Sequence, residues 1–274
     1  MNPSGRNKRF IPHKTEQKDY SSPAIGRRAS APIFGIHPIL EAIRAGKDIE
    51  KVLMQKGTGN KLMSELYKEI VEYKIPFQFV PPEKLNHLVK SKNHQGVVAL
   101  LSPVVYQDIQ NIIPGIFEKG ETPLVLILDR ITDVRNLGAI ARTAECSGVH
   151  AILVPSKGSA QINSDAVKTS AGAIFRIPVC RSENLKYTIE FLKRSGLQII
   201  GCTEKAGKKI IQINFSMPSA IILGSEEDGI SPEYLKQCTE EAAIPLLGEI
   251  GSLNVSVSAG MVLYEALRQK NFKK

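Results

Sequence analysis

Residues Leu124-Val-Leu-Ile-Leu128 form an uninterrupted apolar run, followed at once by the polar pair Asp129-Arg130. A strand apolar at every position has both faces covered, as in a parallel sheet flanked by helices. The chain downstream keeps to that plan. The pattern predicts a helix over 136–147, strands at 151–154 and 177–179, a helix over 183–195, and strands at 199–202 and 220–223. A short helix near 232–237, a strand at 242–245 and a helix from about 254 to 269 complete the series.

Upstream, residues 33–103 also alternate helix and strand. A short helix is expected over 37–44 and a strand over 51–54. A helix carrying Leu62, Leu66, Ile70 and Val71 ends near Tyr73, and Pro76 then forces the chain into an extended strand, 77–80. A helix around 85–89 and a buried strand at 96–101 follow, which predicts a small three-layer α/β domain. Residues 104–121, broken by Pro114, Gly115 and Gly120, read as a linker, so 122–274 is expected as a second α/β domain. Residues 1–32 are rich in Pro, Ser, Gly and basic side chains and read as a disordered arm.

The formal charge of +9 is unevenly spread. Seven basic side chains face two acidic ones in 1–32, and ten face seven in 33–103, against nineteen and eighteen in the rest. An excess confined to the amino-terminal part fits capture of a polyanion there, or a merely solubilising tail. No apolar run approaches the roughly 20 residues of a membrane span. The basic amino terminus lacks the apolar core of a secretory signal. Cys146, Cys180, Cys202 and Cys238 are scattered without metal-ligand or disulfide spacing, which favours thiols packed as core residues in a reducing, cytoplasmic setting.

Open parallel sheets bind ligands outside the carboxyl ends of their strands, and three polar loops fall there. In Asp129–Arg142, Asn136 can cap the following helix, Gly138 permits close backbone approach, and Arg142 lies six residues beyond Asn136. Leu223-Gly-Ser-Glu-Glu-Asp-Gly-Ile230 holds three consecutive acids, either a ribose-hydroxyl or metal site or a solvated turn. In the third loop, 245–259, glycines precede Ser252, Leu253 and Asn254 at a helix start. Neither a dinucleotide nor a Walker fingerprint is present. His37 and His94, lacking metal spacing, are either turn and packing residues or contacts to RNA.

Together and in this order, Asn136-Leu-Gly-Ala-Ile-Ala-Arg142, Leu223–Ile230 and Ile244-Pro-Leu…Ser252-Leu-Asn-Val-Ser256 resemble the SpoU (TrmH-like) branch of the knotted RNA methyltransferases. Phe34-Gly-Ile-His-Pro38 and Asn93-His-Gln-Gly-Val97 resemble that family's small substrate-binding domain, itself related to ribosomal RNA-binding proteins. The resemblance implies an α/β catalytic domain whose carboxyl-terminal segment passes through a deep trefoil knot. It implies S-adenosylmethionine as methyl donor, held by Thr203, Gly224, Ile244 and Leu253, and no metal. Arg142 would lead the chemistry, Asn136 and Glu226 would hold that arginine and the substrate ribose, and Ser252 and Asn254 would order the third loop. Glu227 and Asp228 are left between that site and an exposed acidic turn. A guanidinium holds its proton tightly, so phosphate binding and orientation of the hydroxyl suit Arg142 better than general-base catalysis. The same likeness implies a homodimer acting on a guanosine 2′-hydroxyl of 23S ribosomal RNA. Transfer RNA as substrate, or a non-catalytic role in ribosome assembly, are the alternatives.

Overall fold

Two sheets, each formed by its own stretch of chain, organise the protein. A computed structural model describes residues 32–57 and 59–271, so the expected arm lies, apart from Pro32, outside the described residues. The first sheet belongs to β1 (Ile33–Phe34), α1 (Ile36–Arg44), β2 (Ile49–Gln55), α2 (Lys61–Glu72), β3 (Phe77–Val80), α3 (Pro82–Leu88) and β4 (Val97–Leu101). Its order is β1-β4-β2-β3, with β4 antiparallel to β1 and β2, and β3 parallel to β2. Side chains alternate across β2: Val52 and Met54 pack with Ile39, Leu66 and Ile70 of α1 and α2, while Leu53 packs with Leu85 on the side of α3. The three layers expected from sequence are therefore present. The two glycine-bearing motifs meet here, because Gln95 Oε1 accepts the first free N–H of α1, from Ile36, at 3.0 Å.

The second sheet contains β5 (Leu124–Leu128), β6 (Ala151–Pro155), β7 (Val179–Ser182), β8 (Gln198–Cys202), β9 (Ser219–Leu223) and β10 (Glu240–Ala242). All pairings are parallel and the order is β10-β8-β9-β5-β6-β7. Helices α4 (Ile109–Glu118) and α7 (Leu185–Arg194) cover one face, with α8 (Pro232–Leu235) beside them. On the other face lie α5 (Val134–Cys146), α6 (Ser164–Thr169) and α9 (Val255–Asn271). Alternate residues of β5 serve the two cores, Leu124, Leu126 and Leu128 on one side and Val125 and Ile127 on the other. Every residue of β5 is buried, as its composition requires.

Three expectations are corrected. The stretch read as a linker contains α4, capped by Asp108 and burying Ile109, Ile113 and Ile116 at helical spacing despite Pro114 inside it. Packing of that stripe outweighs the hydrogen bond proline cannot make. The strand expected at 242–245 ends at Ala242, and that expected at 177–179 begins at Val179. Both are edge strands, which tolerate polar residues, so their apolar letters mark them poorly. Cys146 is exposed rather than in the core; burial pushes the Cys202 thiol up to about 12 and the Cys238 thiol to about 11. No helix among the described residues is long and apolar enough to cross a membrane.

Candidate active site at the carboxyl ends of the parallel strands

Register brings the reactive loops together. Leu128 of β5 and Cys202 of β8 both pair with Leu223 of β9, and Ala242 of β10 pairs with Cys202. Four strands thus end level, and the loops after them open onto one edge. There a cleft of about 270 Å³ is lined by Thr203, Gly224, Glu226, Ile244, Ser252 and Leu253. The four expected cofactor residues share this one wall. A second cleft of about 320 Å³ continues from it, sharing Glu226 and adding Asn136 and Arg130.

The helix cap differs from expectation. Asp133 caps α5 by accepting the Arg135 N–H at 2.7 Å, and the Arg135 side chain and backbone N–H hold its carboxylate below the usual range. Asn136 is therefore inside the first turn with its amide free for the cleft. It donates through Nδ2 to Glu226 Oε1 at 2.8 Å, and Asn254 Nδ2 donates to the same oxygen at 2.7 Å and to Asn136 Oδ1 at 3.1 Å. Asn254 Oδ1 meanwhile accepts the Ser256 N–H at 2.9 Å, anchoring the start of α9. One carboxylate oxygen thus joins all three loops. Ser252 lines the cleft but makes no hydrogen bond among the described residues.

Arg142 does not join that triad. It is exposed and has no hydrogen-bond or ion-pair partner among the described residues. Six residues of α-helix carry it about 9 Å along α5 from Asn136 and about a third of a turn around. Asn136 and Glu226 therefore hold each other and Asn254, rather than the arginine.

Two residues outside the expected set build the acidic loop. Asp129, 1% exposed, accepts the Ser231 N–H at 2.7 Å. Arg130, in the left-handed region at φ 56°, donates to Asp228 Oδ2 at 2.9 Å and to the Gly229 carbonyl at 3.1 Å. Burial opposes the Arg130 charge, but Asp129 and Asp228 outweigh it and raise its pKa. A polar pair ending a wholly apolar strand was the available signal. Asp228 is a structural clamp residue, whereas Glu227 is exposed with no partner among the described residues. Gly224 and Gly138 also serve packing: a Cβ on Gly224 would strike the Gly229–Ile230 peptide, and one on Gly138 would lie 2.7 Å from Thr169 Cβ at α6. His94 is a turn residue, taking the Gly96 N–H at 3.0 Å and meeting Asn86 at 3.1 Å, while His37 is exposed on α1.

Chemically, the first cleft combines an apolar wall (Leu223, Ile244, Leu253) with a rim of four acids against one lysine. It suits a ligand with a flat ring and positive charge. Between residues 244 and 253 no hydrogen bond is made among the described residues, so backbone donors and acceptors there stay available to a ligand. Truncating Glu226 to Ala should lower kcat/KM for the reaction at this cleft about 10²-fold by releasing both amides. Glu226→Gln, which keeps the accepting oxygen, should stay within a few-fold of wild type. Equal losses in the two variants, read from initial rates, would mean that charge and not positioning matters.

Fold and cleft together define a two-domain α/β protein of the class that binds ligands at the carboxyl ends of an open parallel sheet. Residues 123–264 match the SpoU rRNA Methylase family, and residues 32–107 match the domain described as RNA 2′-O ribose methyltransferase substrate binding. A Staphylococcus aureus protein assigned to the TrmH family of tRNA/rRNA methyltransferases is 36% identical over 239 residues, 87% of this chain and 96% of that one. The fold is shared with the AdoMet-bound SpoU methyltransferase AviRb of Streptomyces viridochromogenes (TM-score 0.57, 23% identity, 88% and 91% of the two chains). An AdoMet-bound rRNA methyltransferase of Sinorhizobium meliloti is similar (TM-score 0.56, 24% identity, 88% and 87%). The chain belongs to the SpoU family of RNA 2′-O-ribose methyltransferases.

Proposed function

We propose that this enzyme transfers a methyl group from S-adenosylmethionine to the 2′-hydroxyl of a guanosine in 23S ribosomal RNA. The observation that carries the reading is the convergence of Asn136, Glu226 and Asn254 at the mouth of the cleft walled by Thr203, Gly224, Ile244 and Leu253. Thr203, Ile244 and Leu253 would hold the adenosine by backbone groups and apolar contact, and the acidic rim complements the positive end of the donor. When bound, the donor supplies an electrophilic methyl group on a sulfonium. This chain's residues then need only align the ribose and assist loss of its proton, for which no metal is required. The Asn136–Glu226–Asn254 triad fixes the loops around the acceptor, and charged Arg142 binds the neighbouring phosphate and stabilises alkoxide character on the oxygen.

On this reading residues 33–103 grip RNA, residues 122–274 perform the chemistry, and two copies pair so that Arg142 of each completes the other's site. Val257, Met261 and Tyr264 support the pairing, since they leave an apolar stripe exposed along α9. On this reading the carboxyl-terminal segment also passes through a trefoil knot, as in the family; Gln269 ties the end of α9 to Ile213 O and Phe215 N at 2.9 Å each. Four free thiols and an RNA substrate fit a reducing, cytoplasmic setting.

The test is incubation with radiolabelled S-adenosylmethionine and unmodified 23S ribosomal RNA, with a transfer RNA pool in parallel. Label in the ribosomal transcript alone is the expected result. Label only in transfer RNA would replace the substrate, and cofactor binding without label in either would favour a ribosome-assembly role.

A further inference from the structure

A groove of about 650 Å³ runs between the two domains, away from the cofactor cleft. Two ion pairs bracket it. Glu50 of β2, 6% exposed, accepts from Arg181 Nη2 of β7 and from the Tyr106 hydroxyl, each at 2.7 Å, and the Arg181 guanidinium lies 3.6 Å over the Tyr106 ring. Lys74 meets Glu183 at 3.0 Å. These contacts fix the domains against each other.

With Glu50 and Glu183 paired, Lys51 and Lys157 are left with no partner among the described residues. The groove therefore carries net positive charge, opposite to the acidic rim of the cofactor cleft. On the side of the first domain Phe77, 36% exposed on the edge strand β3, lies edge-to-face with Tyr67 (5.3 Å) and Phe79 (5.8 Å), both also exposed. From the second domain the loop after β6 supplies Ser159, whose buried hydroxyl has no hydrogen-bond partner among the described residues, and Gly158, which also lines the cleft of Asn136 and Glu226. Phe77, the two lysines and Ser159 thus line one groove, which Gly158 joins to the cleft of Asn136 and Glu226.

We infer that this groove holds a single-stranded stretch of the substrate RNA beside the target ribose. An unpaired base stacks on Phe77, and phosphates meet Lys51 and Lys157. The occupant follows from chemistry: the cations require a polyanion, and an aromatic face can stack only on a base whose own face is not covered in a duplex. The inference rests on the reading of this chain as an RNA methyltransferase, and it adds where and in what form the RNA is held.

Fluorescence anisotropy with labelled oligouridylate, alone and annealed to oligoadenylate, tests it on the full chain. Phe77→Leu, which keeps apolar bulk under Tyr67 and Phe79, should bind the single strand about tenfold more weakly, with S-adenosylmethionine affinity unchanged. Lys51→Ala with Lys157→Ala should reduce the slope of log affinity against log salt by about 1.4. Wild-type preference for the duplex, or unchanged single-strand affinity and salt slope in these variants while methyl transfer persists, overturns the groove and leaves the enzymatic reading standing. Wild-type protein that binds neither S-adenosylmethionine nor RNA overturns both.

Discussion

Arg142→Ala is expected to lose about 10³-fold in methyl-transfer rate while binding S-adenosylmethionine as tightly as the wild type. The side chain is exposed, has no partner among the described residues, and is absent from the cofactor cleft, so its removal leaves nothing unpaired and costs the fold little. On the proposed reading its contribution is confined to the charge that develops on the acceptor oxygen and the phosphate beside it. Arg142→Lys keeps the charge but not the planar fork, and should remain at least about tenfold impaired. Single-turnover transfer of label, with donor affinity from calorimetry, separates the two effects. Near-normal turnover in the lysine variant would refute a need for the guanidinium, and weakened donor binding would place Arg142 in the cofactor site instead. With the proposed pairing of two copies, mixing Arg142→Ala with Glu226→Ala subunits should raise activity well above that of either variant alone, because one composite site of each mixed pair would be intact. No recovery on mixing would confine the arginine to its own subunit's site.

How far the letters of the sequence reveal such a site depends on what each part is made of. Strands buried on both faces, such as Leu124–Leu128, must be apolar throughout and can be read directly. Edge strands escape that demand: Val179–Ser182 carries Arg181 and Glu240–Ala242 carries two glutamates, and both were misplaced by their apolar neighbours. Helix α4 was hidden by Pro114, because a local breaker looks decisive until tertiary packing of Ile109, Ile113 and Ile116 is counted. Motif resemblance brought Thr203, Gly224, Ile244 and Leu253 to one cleft, since level strand ends in a parallel sheet make distant loops neighbours. The loop read by itself misassigned Asn136 as a helix cap, because Asp133 competes for that role three residues earlier. Asp129 and Arg130 resembled any polar turn, and only the fold shows that they clamp a loop about 100 residues away.

Gly224 separates the two kinds of reason for a glycine at a binding site. If it were there to let a ligand approach, Gly224→Ala would weaken donor binding and leave stability alone. The geometry requires more. A Cβ at this position would be driven into the Gly229–Ile230 peptide, which is backbone and cannot swing aside. Relief means opening the turn in which Ser225 and Gly229 exchange hydrogen bonds of 3.0 Å, and with it the Arg130 contact to the Gly229 carbonyl. Glu226 lies within that turn, so its hold on Asn136 and Asn254 would slip too. Gly224→Ala should therefore lose about 3 kcal/mol in denaturant unfolding. Donor affinity should also fall at least about tenfold, with methyl transfer close to background. Gly248→Ala, in the third loop with nothing within 4 Å of the added carbon, should change stability by no more than about 0.5 kcal/mol. Full stability in Gly224→Ala with only the donor lost would return this glycine to the role of clearing space for the ligand. Loss of both, with Gly248→Ala unaffected, means that the cofactor cleft and the acidic loop are one packed unit.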